Sequence, residues 1–273
     1  MKSTRRTFLK NFSIASAWLI GGGIQELTAA EVLSQKSKVA FRFAMASDGH
    51  YGQANTSFDD FYSQITQHIN LFHQQSHLKG CVINGDIIHD KKEFLLQAKQ
   101  KLDQLTMPYY VTKGNHDMVS DEYWKEVWTV PVNYEKVFKK NTFLMLSTSN
   151  EKGEYLCPDL VWLKAKLDKH KKQKNIFIFL HIPQYKWTAN AIDSPAYFEL
   201  TKQYSNIKAV FHGHEHDQDG VKILYDTPYL FDSHFGGNWG TSYRGFRVVE
   251  LLKDNTMITY IMNPSDRINE FTR

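Results

Sequence analysis

Five short blocks in the 273-residue chain collect side chains that hold metals: Asp48-Gly49-His50, Gly85-Asp86, Gly114-Asn115-His116-Asp117, His181, and Gly213-His214-Glu215-His216. Each block alone is ordinary, because Gly-Asp and Gly-Asn pairs are common turns and a single histidine is usually a satisfied core residue. Together they are not ordinary, since turn chemistry gives no reason for histidine to follow so many apolar runs. Carboxylate, imidazole and amide in this mixture suit two divalent cations about 3.5–4 Å apart, which need a shared anionic ligand and enough neutral ligands to stay electrophilic. Mixed nitrogen and oxygen donors favour Mn, Fe, Co or Zn over Mg or Ca, which prefer all-oxygen shells. The chain has 12 histidines but only 2 cysteines, which excludes a thiolate zinc site and a disulfide framework. In 214–216 the alternate histidines of an extended segment point the same way and can serve neighbouring ions.

What must position these blocks is a series of apolar runs alternating with amphipathic stretches. Strands are predicted over 38–47, 80–84, 109–112, 142–146, 175–180 and 207–211. Helices are predicted over 58–74, with Ser57 as cap and Asp59 and Asp60 in the first turn, and over 91–105, 158–171 and 195–204. The runs 221–231, 246–252 and 257–262 read as antiparallel strands that finish a sheet. Each metal-capable block follows a strand, and in layered α/β folds sites are assembled at strand C-termini. No repeat or linker divides residues 31–273, so they read as one domain, an α/β sandwich in preference to a closed barrel. Cys81 falls in an apolar strand and Cys157 at the opening of a helix, and both read as structural.

The ordered blocks resemble the calcineurin-like metallophosphoesterase superfamily, whose pattern is Asp-x-His, Gly-Asp, Gly-Asn-His-Asp/Glu, a lone His and Gly-His-x-His. That resemblance implies a four-layer α/β/β/α sandwich of two mixed sheets flanked by helices, with a dinuclear metal site at the strand ends. It implies that Asp48, His50 and His216 hold one ion, that Asn115, His181 and His214 hold the other, and that Asp86 bridges them. It further implies a metal-activated hydroxide attacking phosphorus, with His116 assisting the leaving group and Asp117 orienting it. His89 stands where purple acid phosphatases carry a tyrosine ligand, so a tyrosinate site is not expected. The stretch Gly85-Asp86-Ile87-Ile88-His89-Asp90 looks more like bacterial phosphodiesterase-type members. A phosphomonoesterase and a non-catalytic metal-binding scaffold stay open beside that reading, although no expected ligand is eroded. His89 and Tyr51 adjoin the ligand blocks and are candidate substrate contacts. Tyr185, Trp187 and the glycine-rich segment 233–243 are weaker candidates for the border of the site.

The first thirty residues read differently. Arg5-Arg6-Thr7-Phe8-Leu9-Lys10, an apolar stretch broken by Gly21-Gly22-Gly23, and Thr28-Ala29-Ala30 resemble a twin-arginine signal peptide over 1–30. The apolar run is too short for a spanning helix, so export to the periplasm through the twin-arginine machinery is expected, without a stable membrane anchor. The formal charge of +4 then loses its apparent meaning: Lys2, Arg5, Arg6 and Lys10 against Glu26 give the leader +3, leaving 4 − 3 = +1. A small phosphoester is the expected substrate, and no nucleic-acid partner is expected.

Overall fold

The computed structural model describes residues 13–21 and 23–263. Its architecture follows from the alternation within the short apolar strands. In β3 (Val39–Ala46), Phe43 and Met45 point to one side and Ala44 and Ala46 to the other, and all four are buried. In β7 (Asn141–Leu146) and β8 (Asn175–Leu180) the same split separates Phe143, Met145, Phe177 and Phe179 from Leu144, Leu146, Ile176 and Ile178. Strands apolar on both faces must be covered on both. The first set of side chains meets between two sheets, while the second set meets helices.

One sheet has seven strands in the order β2-β1-β13-β12-β3-β4-β5, completed by β1 (Ser13–Ile20), β2 (Ile24–Glu26), β4 (Cys81–Asn84), β5 (Tyr109–Thr112), β12 (Phe246–Leu252) and β13 (Met257–Asn263). The other has six in the order β10-β11-β9-β8-β7-β6, completed by β6 (Tyr134–Phe138), β9 (Ile207–His212), β10 (Val221–Leu224) and β11 (Thr227–Phe231). Both are mixed: β3, β4 and β5 run parallel, as do β7, β8, β9 and β11, and the remaining pairs are antiparallel. The interface is largely phenylalanine, with the Phe43 ring 4.7 Å from Phe143, 5.2 Å from Phe177 and 5.7 Å from Phe211.

Helices cover the outer faces. α1 (Ala29–Ser34) is short; α2 (Phe58–Gln75) lays Tyr62, Ile65, Ile69 and Phe72 at helical spacing against the seven-stranded sheet, beside α3 (Leu95–Leu102). α4 (Asp121–Trp128) packs Trp124, Val127 and Trp128 into the same layer. On the six-stranded sheet, α5 (Leu160–Lys169) buries Leu163 and Leu167, and α6 (Pro195–Thr201) buries Tyr197 and Phe198. The result is the four-layer α/β/β/α sandwich.

Local departures from the sequence reading have physical causes. The helix expected over 91–105 is a 3-10 turn at Lys92–Phe94 followed by α3. Ser57 stands at the start of α2 without a side-chain capping bond, whereas Asp159 caps α5 by accepting from the amides of Val161 and Trp162, so Cys157 lies ahead of that helix. Cys81 is buried and Cys157 exposed, and both are free thiols. The late strands do not finish one sheet: β11 joins the six-stranded sheet parallel to β9, while β12 and β13 join the other.

Residues expected in the leader also take part. β1 pairs antiparallel with β13, β2 pairs with β1, and Ala17 and Ile20 are buried. Arg5 and Arg6 lie outside the described residues. Removal of residues 1–30 would strip these two strands from the sheet and leave β13 at its edge. Among the described residues no helix is long and apolar enough to cross a membrane. Phe43→Ala removes the ring at the centre of the sheet interface and is expected to cost about 3–5 kcal/mol, read by equilibrium urea unfolding.

Candidate metal centre

The ligand blocks sit where the backbone leaves its strands in unusual conformations. Asp48, His50, Asp86, Asp90 and His214 all have positive φ, between 45° and 69°. Side chains other than glycine rarely adopt that region, and such strain collects at functional sites. Close approach explains the glycines. A Cβ on Gly114 would lie 2.2 Å from the Asp86 amide nitrogen, and one on Gly85, itself at φ +84°, would lie 2.3 Å from His181 Nδ1.

These turns bring the predicted ligands into one buried cluster. His216 Nε2 is 3.2 Å from Asp48 Oδ1, and His50 Nε2 faces His216 Nε2 at 3.0 Å. Asp86 Oδ2 lies 3.1 Å from His181 Nε2 and 3.7 Å from His50 Nε2, so this carboxylate stands between the two groups. The donors form two sets, Asp48-His50-His216 and Asp86-His181-His214, each within the span of one ion. Asn115 Oδ1 and His214 Nε2 are buried with no hydrogen-bond partner, an arrangement that is costly unless a cation completes it. Ring orientation gives the same answer. His181 Nδ1 meets the Asn84 carbonyl at 2.8 Å and His216 Nδ1 meets the Trp239 carbonyl at 3.1 Å, so each donates there and keeps its Nε2 lone pair for a metal. The residues present fit a pair of divalent cations.

Electrostatics hold the two buried carboxylates ionised. Burial pushes Asp48 upward, but His216 and His181 overrule it and bring it to about 2, aided by the Ser47 hydroxyl on its Oδ2 and by the His214 amide at 3.1 Å. Burial likewise opposes ionisation of Asp86, yet His181 and His50 hold it well below the ordinary carboxylate value. Burial would lower His181, but Asp86 and Asp48 raise it to about 10. Burial keeps His50 and His214 neutral, the latter at about 4.

His116 lies beside this cluster at the surface. Its amide donates to Asp86 Oδ1 at 2.8 Å, and its ring lies 4.9 Å from that of His50. Asp117 does not orient it: that carboxylate accepts from the Ile88 amide at 2.9 Å and the Gly114 amide at 2.8 Å, bracing the loops that carry Asp86 and Asn115. The carboxylate on His116 is Asp90, whose Oδ1 is 2.7 Å from Nδ1. In sequence Asp117 is the immediate neighbour of His116 and the natural choice, although Asp90 closes the same block as Asp86. His89 is in the site, its ring stacked 4.7 Å from His116 and its Nδ1 3.0 Å from His50 Nδ1. Tyr51 is not in the site. It is buried among Phe58, Tyr62 and Phe94, and its hydroxyl donates to Asp59 at 2.7 Å.

The segment 233–243 borders the site directly. The amides of Phe235 and Gly236 donate to the carbonyls of Ser47 and Asp48, and the Trp239 ring stacks 4.2 Å from His216, 8° from parallel. Tyr155, which sequence offered no reason to choose, packs edge-on 4.9 Å from His214. Trp187 packs against Tyr229 on the sheet instead.

A double-sheet sandwich with donors at the strand ends and two adjoining three-donor sets defines a dinuclear metallohydrolase. The chain belongs to the calcineurin-like phosphoesterase family, whose model matches residues 41–218 and so takes in every donor of both sets. The solved structures that are similar in fold include a dimetal phosphatase from Danio rerio, at TM-score 0.67 and 14% identity, covering 84% of this chain and 98% of that one. Another is the NAD nucleotidase of Haemophilus influenzae, at TM-score 0.50 and 11% identity, covering 83% of this chain and 49% of that one. No curated protein matches the chain in sequence. The protein is a metal-dependent phosphoesterase.

The sign of the His181 shift gives a testable outcome. Its stabilising contribution to the metal-free chain is complete below the unfolded value of about 6.5 and is lost as pH rises through about 10. A cation replaces that proton, and Asp48 raises the ligand His216 as well, so metal loading at neutral pH is expected to release more than one proton per chain and to tighten as pH rises. Calorimetry in two buffers of different ionisation enthalpy measures it. Asp90→Asn is expected to lower kcat roughly 10- to 100-fold with metal content unchanged by elemental analysis; joint loss of metal and activity would place Asp90 in the ligand scaffold instead.

Proposed function

We propose that this chain is an exported phosphodiesterase using two transition-metal ions, Mn, Fe, Zn or Co. Support for a diester comes from one observation: a half-exposed aromatic ring stands on each side of the ligand cluster, Trp239 on His216 and Tyr155 on His214. A diester has two organic arms and a single negative charge, so it benefits from two apolar walls and does not need a cationic side chain. Among the described residues the ionic partners of Asp48 and Asp86 are all imidazoles, which agrees with that economy of charge.

When bound, the two ions supply an activated water as nucleophile and offset the charge of the phosphate. Asp48, His50, Asp86 and His216 would hold one ion, and Asp86, Asn115, His181 and His214 the other. The chain's own work is orientation and proton transfer. Asp90 fixes His116 through Nδ1, which leaves Nε2 free to give a proton to the departing alkoxide. Stacking on His89 holds the ring plane. The Trp239 and Tyr155 rings exclude water from the flanks of the phosphate and seat its substituents.

Export rests on Arg5-Arg6 and the small-residue end of the leader at Ala29-Ala30. N-terminal sequencing of the protein recovered from the cell envelope is expected to start at or near Glu31; an intact Met1 on a cytosolic protein would overturn export. With metals restored, an aryl phosphodiester should turn over faster than the matching monoester, and His116→Ala should lower kcat by roughly 10²–10⁴. Trp239→Ala should raise KM for the diester with little change in kcat. Equal loss on mono- and diester would remove the assigned role of the walls, and a preference for the monoester would overturn the diesterase.

A further inference from the structure

The strands that deliver the metal ligands at one end carry a second concave feature at the other. A cleft of about 540 Å³ opens between the two sheets and is rimmed by Lys79, Lys139, Lys140, Lys174 and Lys253. These residues precede β4, β7 and β8 or follow β12, so they gather at the strand ends opposite the ligand blocks. From Asn175 in the cleft to His181 in the metal centre is six residues of extended chain, about 20 Å.

Every charged residue that lines the cleft is a lysine. None of the five lysines forms an ion pair among the described residues, and no carboxylate lines the cleft. The adjacent Asp254 turns back on its own loop, accepting from the Thr256 amide at 2.9 Å. Burial and the nearby Lys174 hold half-buried Lys208 below the ordinary lysine value, and Asp254 offsets the shift only in part. Five positive charges exceed the formal +4 of the whole chain, so the remainder carries 4 − 5 = −1.

The cleft is also built, not a loose fringe of side chains. Asn175 Nδ2 donates to Asn141 Oδ1 at 2.8 Å and to Asn255 Oδ1 at 2.9 Å, and Asn255 Nδ2 donates back to Asn175 Oδ1 at 3.0 Å. This amide ladder ties the β12–β13 turn of one sheet to β7 and β8 of the other and fixes the floor. Phe41 and Phe138, in edge contact at 5.5 Å, form an apolar side wall. The volume lies within the range of small-molecule sites, and the concave shape admits a compact ligand better than a flat bilayer.

We propose that this cleft is a second, non-catalytic site that binds a compact soluble polyanion carrying two or more phosphate groups. Lysine ammonium groups act as point charges on phosphate, and several of them around one cleft focus the field on a multivalent anion. Inorganic tripolyphosphate is the probe, titrated by calorimetry and by backbone-amide NMR. Phosphate at the metal centre does not depend on the cleft lysines, so the lysine-dependent component is the one that counts. The amides of Lys139, Lys140, Asn175 and Asn255 are expected to shift, and the Lys139→Gln/Lys174→Gln double variant to weaken that component roughly tenfold. Lys125→Gln/Lys222→Gln, which removes the same charge from exposed positions outside the cleft, is expected to change nothing. Equal weakening by both double variants would reduce the effect to net charge and overturn the site, as would unmoved cleft amides. Lysine-dependent sedimentation with anionic phospholipid vesicles, in place of tripolyphosphate binding, would overturn it in favour of a membrane surface.

Discussion

Two carboxylates buried side by side set the terms for the rest of this molecule. Asp48 and Asp86 are almost fully withdrawn from water, and an isolated ion in such a place is prohibitively costly. They remain charged because imidazoles and backbone amides converge on them from both sheets: His50 and the His116 amide from one, His181, His214 and His216 from the other. No single loop can satisfy such demands. The site exists only where the C-terminal ends of β3, β4 and β5 face those of β8 and β9, so stacking of the sheets is a precondition for the chemistry.

The sandwich therefore does more than fill space. Its phenylalanine interface fixes the separation of the sheets, and Asn84 at the end of β4 joins them beneath the cluster. The Asn84 side chain reaches the carbonyls of Leu180 and Phe211 at 3.4 Å while its own carbonyl receives His181. One residue thus links the sheet spacing to the tautomer of a ligand. Asp117 does similar work within the first sheet, holding the second and third ligand loops together by accepting two hydrogen bonds from backbone amides. Burial and Asp86 push its own carboxyl up to about 7, which marks the strain of packing a third carboxylate here.

How much of this could be read in advance depended on how local the signal was. The ligand blocks were legible because each is a strand end followed by donors, a pattern contained in three or four residues. The strands were legible where both faces are apolar, as in Tyr109–Thr112 and Asn175–Leu180, whose bounds match the expectation. Half-buried β6 offers no apolar run, and α4, though amphipathic, spans only eight residues, too short a stretch to stand out from a loop. The pairing of β11 with β9 and of β12 with β3 depends on which sheet has a free edge, a global property that no window of sequence contains. His116 illustrates the same limit at the site: its sequence neighbour Asp117 was the natural partner, but a turn at positive φ swings Asp90 onto its ring from 26 residues away. Trp239 reaches the cluster from the glycine-rich segment that the sequence offers as a border of the site, whereas Tyr155 comes from a loop whose composition marks it only as a loop.

The distribution of charge separates the two ends of the molecule. The far end gathers lysines, while at the metal end the ionic partners of Asp48 and Asp86 are imidazoles, with no lysine paired to them among the described residues. A field from exposed ammonium groups decays over about 8 Å at physiological salt. Across the roughly 20 Å length of the strands it cannot steer a substrate into the metal cleft. Attraction at that cleft must come from the bound cations themselves, whose combined charge exceeds that of Asp48 and Asp86. A metal-free chain would then lose its affinity for phosphate at the catalytic end and keep its basic end unchanged, so the two ends are electrostatically independent parts of one fold.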